Sequence, residues 1–374
     1  MQHITVLGAG RVGSAMIQDL AADFQVTAVD ASQANLSRLT GKNIAKRKAD
    51  LSQTKAVQAA VKDADLVVGA VPGFMGFATV KAVLEAGKNI VDISFFPEDP
   101  FRLDKLAKSK GLIALTDIGV APGCDNLILG YVETQLDRVN RFECLVGGLP
   151  KVRTWPYEYK AGFSPIDVLE EYTRPARYVA HGKEVVMPAL SEPELVDLPG
   201  VGTLEAFNTD GLRTLIHTVN APFKKEKTLR YPGHIEKMRM LRETGFFRKE
   251  PVDVNGAKVA PLDLTTQLLF PMWQMKEGDE DFTVMRVVVE GERKGKTITY
   301  TYDLLDSYDR AGMTTSMART TGYTCTAAAR LVVRGLYKRK GVSPPEYVGR
   351  EKGCWDFIRK ELAQRRVVFR ETLS

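Results

Sequence analysis

The chain is poor in the residues that build metal centres and disulfide frames. Its 374 residues include only four cysteines and four histidines. Cys124, Cys144, Cys325 and Cys354 lie far apart and form no Cys-x-x-Cys, so they read as reduced thiols of a cytoplasmic protein. His3, His181, His217 and His234 show no His-Glu-x-x-His and no paired spacing, and no metal is expected. Long apolar runs are also missing. The most apolar stretch, 66–77, is broken by Gly69, Pro72, Gly73 and Gly76 and is too short to span a bilayer, which argues against a membrane role. No basic tract is interleaved with aromatics. The net charge of +6 is spread along the chain, which argues against nucleic acid as a partner. The first strand pattern starts within three residues of the N-terminus, leaving no room for a targeting segment, so the cytoplasm is the expected location.

What the chain does have is a glycine fingerprint at its start. Ile4-Thr5-Val6-Leu7-Gly8-Ala9-Gly10-Arg11-Val12-Gly13 is a short apolar run ending in Gly-x-Gly-x-x-Gly, and a helical pattern follows at once. Gly8 permits the tight turn off the strand, Gly10 lets a pyrophosphate approach the backbone, and Gly13 lets helix and strand pack closely. Arg11 and Val12 stand at the helix N-terminus, where free N–H groups and the positive dipole end face the phosphates. A second apolar run ends in Asp30, about 20 residues on, where a ribose-binding acid belongs. Asp30 suits NAD, since a carboxylate repels the 2′-phosphate of NADP and no arginine follows it. Asp50 and Leu51 would flank the adenine, and Val71 and Pro72 the nicotinamide ribose. Asp30 read simply as a strand end, and Asp50 as a helix cap, are the plainer alternatives.

Residues 1–118 alternate between strand and helix. Strands are expected at 3–7, 25–29, 44–48, 65–70, 89–92 and 112–116, with helices at 12–22, 32–40, 53–62, 76–86 and 101–109. This is an α/β pattern: a Rossmann-type, doubly wound parallel sheet of six strands. Residues 138–310 change texture, with alternating segments at 141–145, 183–186, 228–231, 283–290 and 297–304 and helical patterns at 165–172, 209–217, 233–244 and 261–270. Asn255-Gly256 and Arg293-Lys294-Gly295 look like hairpin turns. The expected organisation is a nucleotide-binding domain over 1–125, completed by C-terminal helices within 316–374. Residues 126–315 then form an inserted α+β domain with a mixed or antiparallel sheet, which carries substrate contacts and a homodimer surface. There are no internal repeats.

Several blocks carry a resemblance. Gly8–Gly13, Asp117-Ile118-Gly119-Val120-Ala121-Pro122-Gly123, Val146-Gly147-Gly148-Leu149-Pro150, Tyr159-Lys160…Phe163-Ser164-Pro165, Leu204-Glu205-Ala206-Phe207, Arg230-Tyr231-Pro232-Gly233-His234 and Met317-Ala318-Arg319 resemble the saccharopine dehydrogenase/reductase family, in the family's order and over nearly the whole chain. Within the family the blocks look most like the lysine 6-dehydrogenase branch. The resemblance implies a dimeric NAD(P)-dependent dehydrogenase acting on the amines or imines of basic amino acids. There are departures. Saccharopine reductases resemble Tyr-Lys-Phe-Ser-Trp-Ser-Pro where this chain has Tyr159-Lys160-Ala161-Gly162-Phe163-Ser164-Pro165, without the tryptophan. They carry Asn-Arg-Asp, with the arginine on a substrate carboxylate, where this chain has Asn208-Thr209-Asp210. Pro122-Gly123-Cys124-Asp125 keeps their acid.

The expected reaction is oxidative deamination of the lysine ε-amine by NAD, giving the semialdehyde and ammonia. A saccharopine or carboxyspermidine type of dehydrogenase acting on a secondary amine is the alternative within enzymes, and a non-catalytic NAD-binding regulator is the alternative outside them. A carboxylate suits the base role, because it binds the ammonium and then takes its proton. The candidates are Asp92, Asp117 and Asp125, all at strand ends; Asp92 and Asp117 could instead close turns, and Asp125 could cap a helix. For the substrate, Arg213 is a candidate carboxylate anchor, His234 a proton relay, Tyr159 and Phe163 a wall for the alkyl chain, and Ser164 a further substrate contact. Arg213 on a surface helix, His234 as a structural residue and Phe163 as plain core are the competing readings.

Overall fold

The computed structural model describes residues 1–374. Strand and helix alternate through its first third: β1 (His3–Leu7), α1 (Arg11–Leu20), β2 (Gln25–Asp30), α2 (Gln33–Arg38), β3 (Ile44–Lys48), α3 (Thr54–Val61), β4 (Leu66–Gly69), α4 (Gly73–Glu85), β5 (Ile90–Asp92), α5 (Asp104–Ser109) and β6 (Ile113–Leu115). The middle of the chain forms α6 (Cys124–Glu133), β7 (Arg138–Pro150), α7 (Pro165–Thr173), β8 (Ala176–Ala180), β9 (Lys183–Met187), β10 (Glu194–Leu198), β11 (Gly202–Asn208), α8 (Leu215–Thr218), β12 (Phe223–Arg230), α9 (His234–Thr244), β13 (Val252–Val254), β14 (Ala257–Val259), α10 (Pro261–Trp273), β15 (Asp281–Arg293) and β16 (Lys296–Ser307). The last part forms α11 (Ser316–Val333), β17 (Gly341–Ser343), α12 (Pro345–Arg350), α13 (Cys354–Gln364) and β18 (Phe369–Leu373).

The first sheet is parallel throughout, in the order β3-β2-β1-β4-β5-β6-β17. A parallel sheet needs cover on both faces. Accordingly β4, β5 and β6 are buried at every residue. One side is closed by α11, which returns from the far end of the chain and lies on α1. Gly322 permits that approach, since a β-carbon there would sit 3.0 Å from the Met16 side chain. Arg330 of α11, with its side chain 1% exposed, pairs with Asp19 and Asp23 at 2.7 Å each.

The second sheet is mixed, in the order β10-β11-β12-β7-β15-β16-β18, with β8 and β9 attached through β12. Its one parallel pair is β12 with β7. The strand β12 reads Phe-Lys-Lys-Glu-Lys-Thr-Leu-Arg, yet Lys224 to Arg230 are all buried. Buried charge is tolerated only when paired and hydrogen-bonded, and here it is. Lys224 Nζ donates to the carbonyls of Leu215, Ile216 and Val219. Lys225 and Lys227 pair with Glu192 and Glu194 at 2.6 Å.

The doubly wound sheet and the second, mixed sheet match the expected architecture, with local differences. The parallel sheet has seven strands rather than six, because Gly341–Ser343 joins β6; three residues carry no readable period. The last segment, Phe369–Leu373, joins the mixed sheet at β16 instead of the nucleotide-binding side. The helix expected over 209–217 shrinks to Leu215–Thr218, because Arg213 takes a left-handed φ of 51° and the preceding turn is used to bring Thr209 and Asp210 beside β12. Only the end of β12 shows an apolar period, since its charged residues look solvent-facing in isolation. No helix is long and apolar enough to cross a membrane.

Candidate active site

A cleft of about 750 Å³ lies between the carboxyl ends of the parallel sheet and the face of the mixed sheet that carries β12. Its nucleotide half begins at the glycine turn. Gly8 has φ 102°, and a β-carbon there would meet the Ala70 carbonyl oxygen at 2.4 Å. A β-carbon at Gly13 would meet the Gly8 carbonyl oxygen at 2.1 Å. These two glycines are explained by packing alone. Gly10 is not: nothing lies within 4 Å of the position its β-carbon would take, and that space is in the cleft. The room, together with a helix N-terminus that no side chain caps, fits a pyrophosphate.

Asp30 is held in place by this turn. Its Oδ2 accepts the Ala9 N–H at 2.6 Å and its Oδ1 the Ser32 N–H at 2.7 Å. Asn35 donates weakly to both oxygens. Gly8, Gly10, Arg11, Val12, Gly13, Asp30, Asp50, Leu51, Val71 and Pro72 all line the cleft. Asp50 also receives the Ser52 N–H and hydroxyl, which lower its pKa. Arg11 Nη2 donates to the Met275 carbonyl at 2.9 Å, tying the cleft margin to the segment that follows α10.

In the other half, Tyr159, Phe163 and Ser164 line the cleft. The three acids expected as candidate bases do not. Asp92 is fully buried behind Ser94; Oδ1 accepts the Ser94 N–H at 2.9 Å, Oδ2 has no partner, and burial pushes the carboxyl up to about 7. Asp125 lies in the first turn of α6, and its Oδ1 accepts the Gly123 N–H at 2.9 Å, so the helix-cap reading is the one the geometry follows. Burial pushes it, too, up to about 7. Asp117 is spent on Arg213, with Nε to Oδ2 at 3.1 Å, and Arg213 donates its Nη2 to the Phe96 carbonyl at 2.6 Å. Neither lines the cleft, so Arg213 is not free to hold a substrate carboxylate. His234 is also displaced from the expected role. Its Nδ1 meets the Tyr157 carbonyl at 2.8 Å and its Nε2 the Tyr172 hydroxyl at 3.0 Å. Burial and the neighbouring Arg230 push its pKa down to about 3, so it is a neutral linker between α9 and α7.

The groups that do face the substrate half come from α7, the turn after β11, and β12. Asp167 receives the Gly73 N–H at 3.2 Å. Glu171 pairs with Arg230 Nη2, whose Nε donates to Tyr172 Oη at 3.1 Å and whose guanidinium lies 4.5 Å from the Tyr159 ring centre. Asp210 is held by a two-bond contact from Arg177 at 2.8 and 3.1 Å. Glu226 differs from these acids. Its carboxylate takes neither an arginine nor a backbone N–H; it accepts only the Thr209 hydroxyl, at 2.7 Å, and that hydroxyl also meets Thr228 Oγ1 at 2.9 Å. Burial pushes Glu226 up to about 8, Thr209 pulling the other way. Sequence reading missed Glu226 because it sits in a run of lysines. The signal available was its two-residue spacing from Thr228 and Arg230, which puts all three on one face of a strand.

Comparisons with known proteins agree with this architecture. The family model described as saccharopine dehydrogenase NADP binding domain matches residues 4–115, and the one described as saccharopine dehydrogenase C-terminal domain matches residues 119–368. Among similar proteins, saccharopine dehydrogenase [NADP(+), L-glutamate-forming] of Saccharomyces cerevisiae is 24% identical, covering 92% of this chain and 94% of its own. Carboxyaminopropylagmatine dehydrogenase of Synechocystis is 23% identical, covering 91% and 92%. Among solved structures, apo saccharopine dehydrogenase (L-Glu forming) from Saccharomyces cerevisiae superposes with a TM-score of 0.81 over the full length of both chains, at 21% identity.

Proposed function

Since the chain belongs to the saccharopine dehydrogenase family, we propose that it is an NAD-dependent dehydrogenase of the side-chain amine of a basic amino acid, with L-lysine as substrate and the ε-amine as the reacting group. It is an NAD(P)-dependent oxidoreductase acting on an amino-acid amine. What carries the lysine reading is Glu226, a cleft acid that pairs with no cation and whose only hydrogen-bond donor is the Thr209 hydroxyl. A cationic amine supplies the missing partner.

The chemistry follows from that placement. An ammonium cannot give up hydride from its carbon until the nitrogen loses a proton and its lone pair can form the C=N bond. Glu226 takes that proton, and Thr209 fixes which carboxylate oxygen faces away from the substrate. A pKa near 8 matches a base working close to neutral pH. A bound nicotinamide ring supplies the hydride acceptor. Water then adds to the iminium carbon, ammonia departs, and the aldehyde remains. Tyr159 and Phe163 wall the alkyl chain, and the Tyr159 ring is braced by Arg230.

NAD is proposed over NADP on Asp30, although the family model and the yeast relative are described as NADP proteins. The carboxylate of Asp30 stands in the cleft where a ribose 2′-phosphate would meet it. A homodimer is proposed as well, on the exposed apolar face of α10 formed by Leu264, Leu268 and Met272, and a solution mass of one chain would refute it. The second reading of the reaction is oxidation of a secondary amine, favoured by the names of the relatives. One measurement separates the two. Reverse turnover that needs ammonia and no amino-acid co-substrate supports the lysine reaction, and a requirement for glutamate or a diamine sinks it.

A further inference from the structure

With Arg213 committed to Asp117, the cleft has to hold a substrate carboxylate by other means. Two arginines line the substrate half, Arg174 and Arg230. Arg230 is fully used: Nε goes to Tyr172, Nη1 to the Leu229 carbonyl and Nη2 to Glu171. Arg174, which ends α7, is not. Its only side-chain acceptor is Glu170, at 3.5 Å, the outer limit of a hydrogen bond. Its Nη1 is buried and has no partner at all. The side chain is 13% exposed, and its guanidinium lies over the Phe95 ring, 4.6 Å from its centre, with Arg213 also over that ring at 4.8 Å. A buried guanidinium N–H without an acceptor is costly unless a ligand supplies one. Contact with the ring and burial limit the rotamers open to the fork, so an incoming carboxylate finds its donors already held.

We propose that Arg174, packed over Phe95, is the anchor for the α-carboxylate of the substrate, and that it makes the enzyme select amino acids over the corresponding diamines. The proposal rests on the basic-amino-acid reading of the site and supplies its second recognition point. The amine end meets Glu226 on the β12 wall, and the carboxylate end meets Arg174 on the Phe95 wall. Glu170 is the built-in competitor. It occupies one side of the guanidinium and gives it up to a better acceptor.

The test compares L-lysine with pentane-1,5-diamine, which lacks only the carboxylate, in the wild type, Arg174→Gln, Arg174→Lys and Glu170→Gln. In Arg174→Gln, kcat/KM for lysine falls roughly 10- to 100-fold, mostly through KM, as expected for loss of a charge-assisted contact. The diamine values stay within a factor of about two to three, so discrimination collapses. Arg174→Lys restores part of the preference. Glu170→Gln lowers KM for lysine and leaves the diamine alone, which a merely structural role for Arg174 does not predict. Parallel changes for lysine and diamine in Arg174→Gln overturn the proposal. If the wild type oxidises no lysine, the substrate reading fails separately, and the anchor is tested by binding. Wild-type protein then retains a preference for 6-aminohexanoate over pentylamine in a fluorescence titration that Arg174→Gln abolishes; equal affinity for the two in the wild type refutes the anchor.

Discussion

Gly211 lies directly against the carboxylate of Glu226: a β-carbon at position 211 would come within 1.9 Å of Oε2. The glycine is there to make room for the acid. Replacing it by alanine pushes the carboxylate off the Thr209 hydroxyl while leaving the charge in the cleft. Gly211→Ala is expected to lower kcat about 10-fold or more, and Glu226→Gln by about 10²-fold or more, the usual worth of a positioned base. Steady-state rates with saturating amine and NAD check both. A Glu226→Gln enzyme with wild-type kcat removes the base from this residue.

The pH profile follows from the same group. Glu226 accepts a proton only when ionised, and its carboxyl is held up at about 8 in the free enzyme. The rate in kcat/KM therefore rises with pH through about 8, before the substrate amine itself titrates. In Glu226→Gln that limb disappears from the residual activity. A profile flat between pH 6 and 9 in the wild type contradicts the assignment.

Stability runs the opposite way. Asp92 and Asp125 are raised by burial to about 7 and Glu226 to about 8, all above their unfolded values. The folded chain thus binds more protons than the unfolded chain between roughly pH 4 and 8. The contribution is complete below the unfolded pKa and is lost as pH rises through the folded one. The ligand-free protein should melt at a lower temperature at pH 8.5 than at pH 6, and Asp125→Asn should flatten that dependence. Thermal melts across the series decide it.

For the cofactor, Asp30→Ala is expected to weaken NAD by roughly 10- to 100-fold, the worth of hydrogen bonds to a charged group, and to admit NADP. Titration by nicotinamide fluorescence measures both. Unchanged affinity for the two dinucleotides refutes the ribose role.

Where α11 lies on α1, Arg330 ties the end of the chain to its beginning. Its guanidinium serves Asp19 and Asp23, and the Asp19 backbone carbonyl as well, from a nearly fully buried position. Arg330→Met is expected to destabilise the protein by about 1–3 kcal/mol, the worth of charge-assisted hydrogen bonds, since Asp19 keeps Arg365 and Asp23 is half exposed. Urea unfolding followed by two spectroscopic probes gives the value.

Much of this molecule can be read from its residues, and the limits have physical causes. The Gly8–Gly13 turn and Asp30 were legible because local geometry dictates them. The first strands were legible because a parallel sheet must be apolar on both faces. The acids chosen at strand ends, Asp92, Asp117 and Asp125, were chosen by topology, and topology does not say which way a side chain turns. Each of them found a partner or a burial site inside the wall instead. Glu226 and Arg174 were missed for the converse reason. One lies in a lysine-rich run, the other just past a charged helix, and what makes each available is what its neighbours across the fold leave unbonded.

The lysines of β12 bear on how the chain avoids mistakes. Strand pairing is held by identical backbone groups, so one residue of slip costs the ladder little. Here a slip would pull Lys224 away from three carbonyls, strand Lys225 and Lys227 without Glu192 and Glu194, and turn Glu226 out of the cleft. An apolar strand can slide and remain greasy. A strand of buried charges, each with its own partner, has one offset at which its electrostatics close, and that offset aims the acid at the substrate.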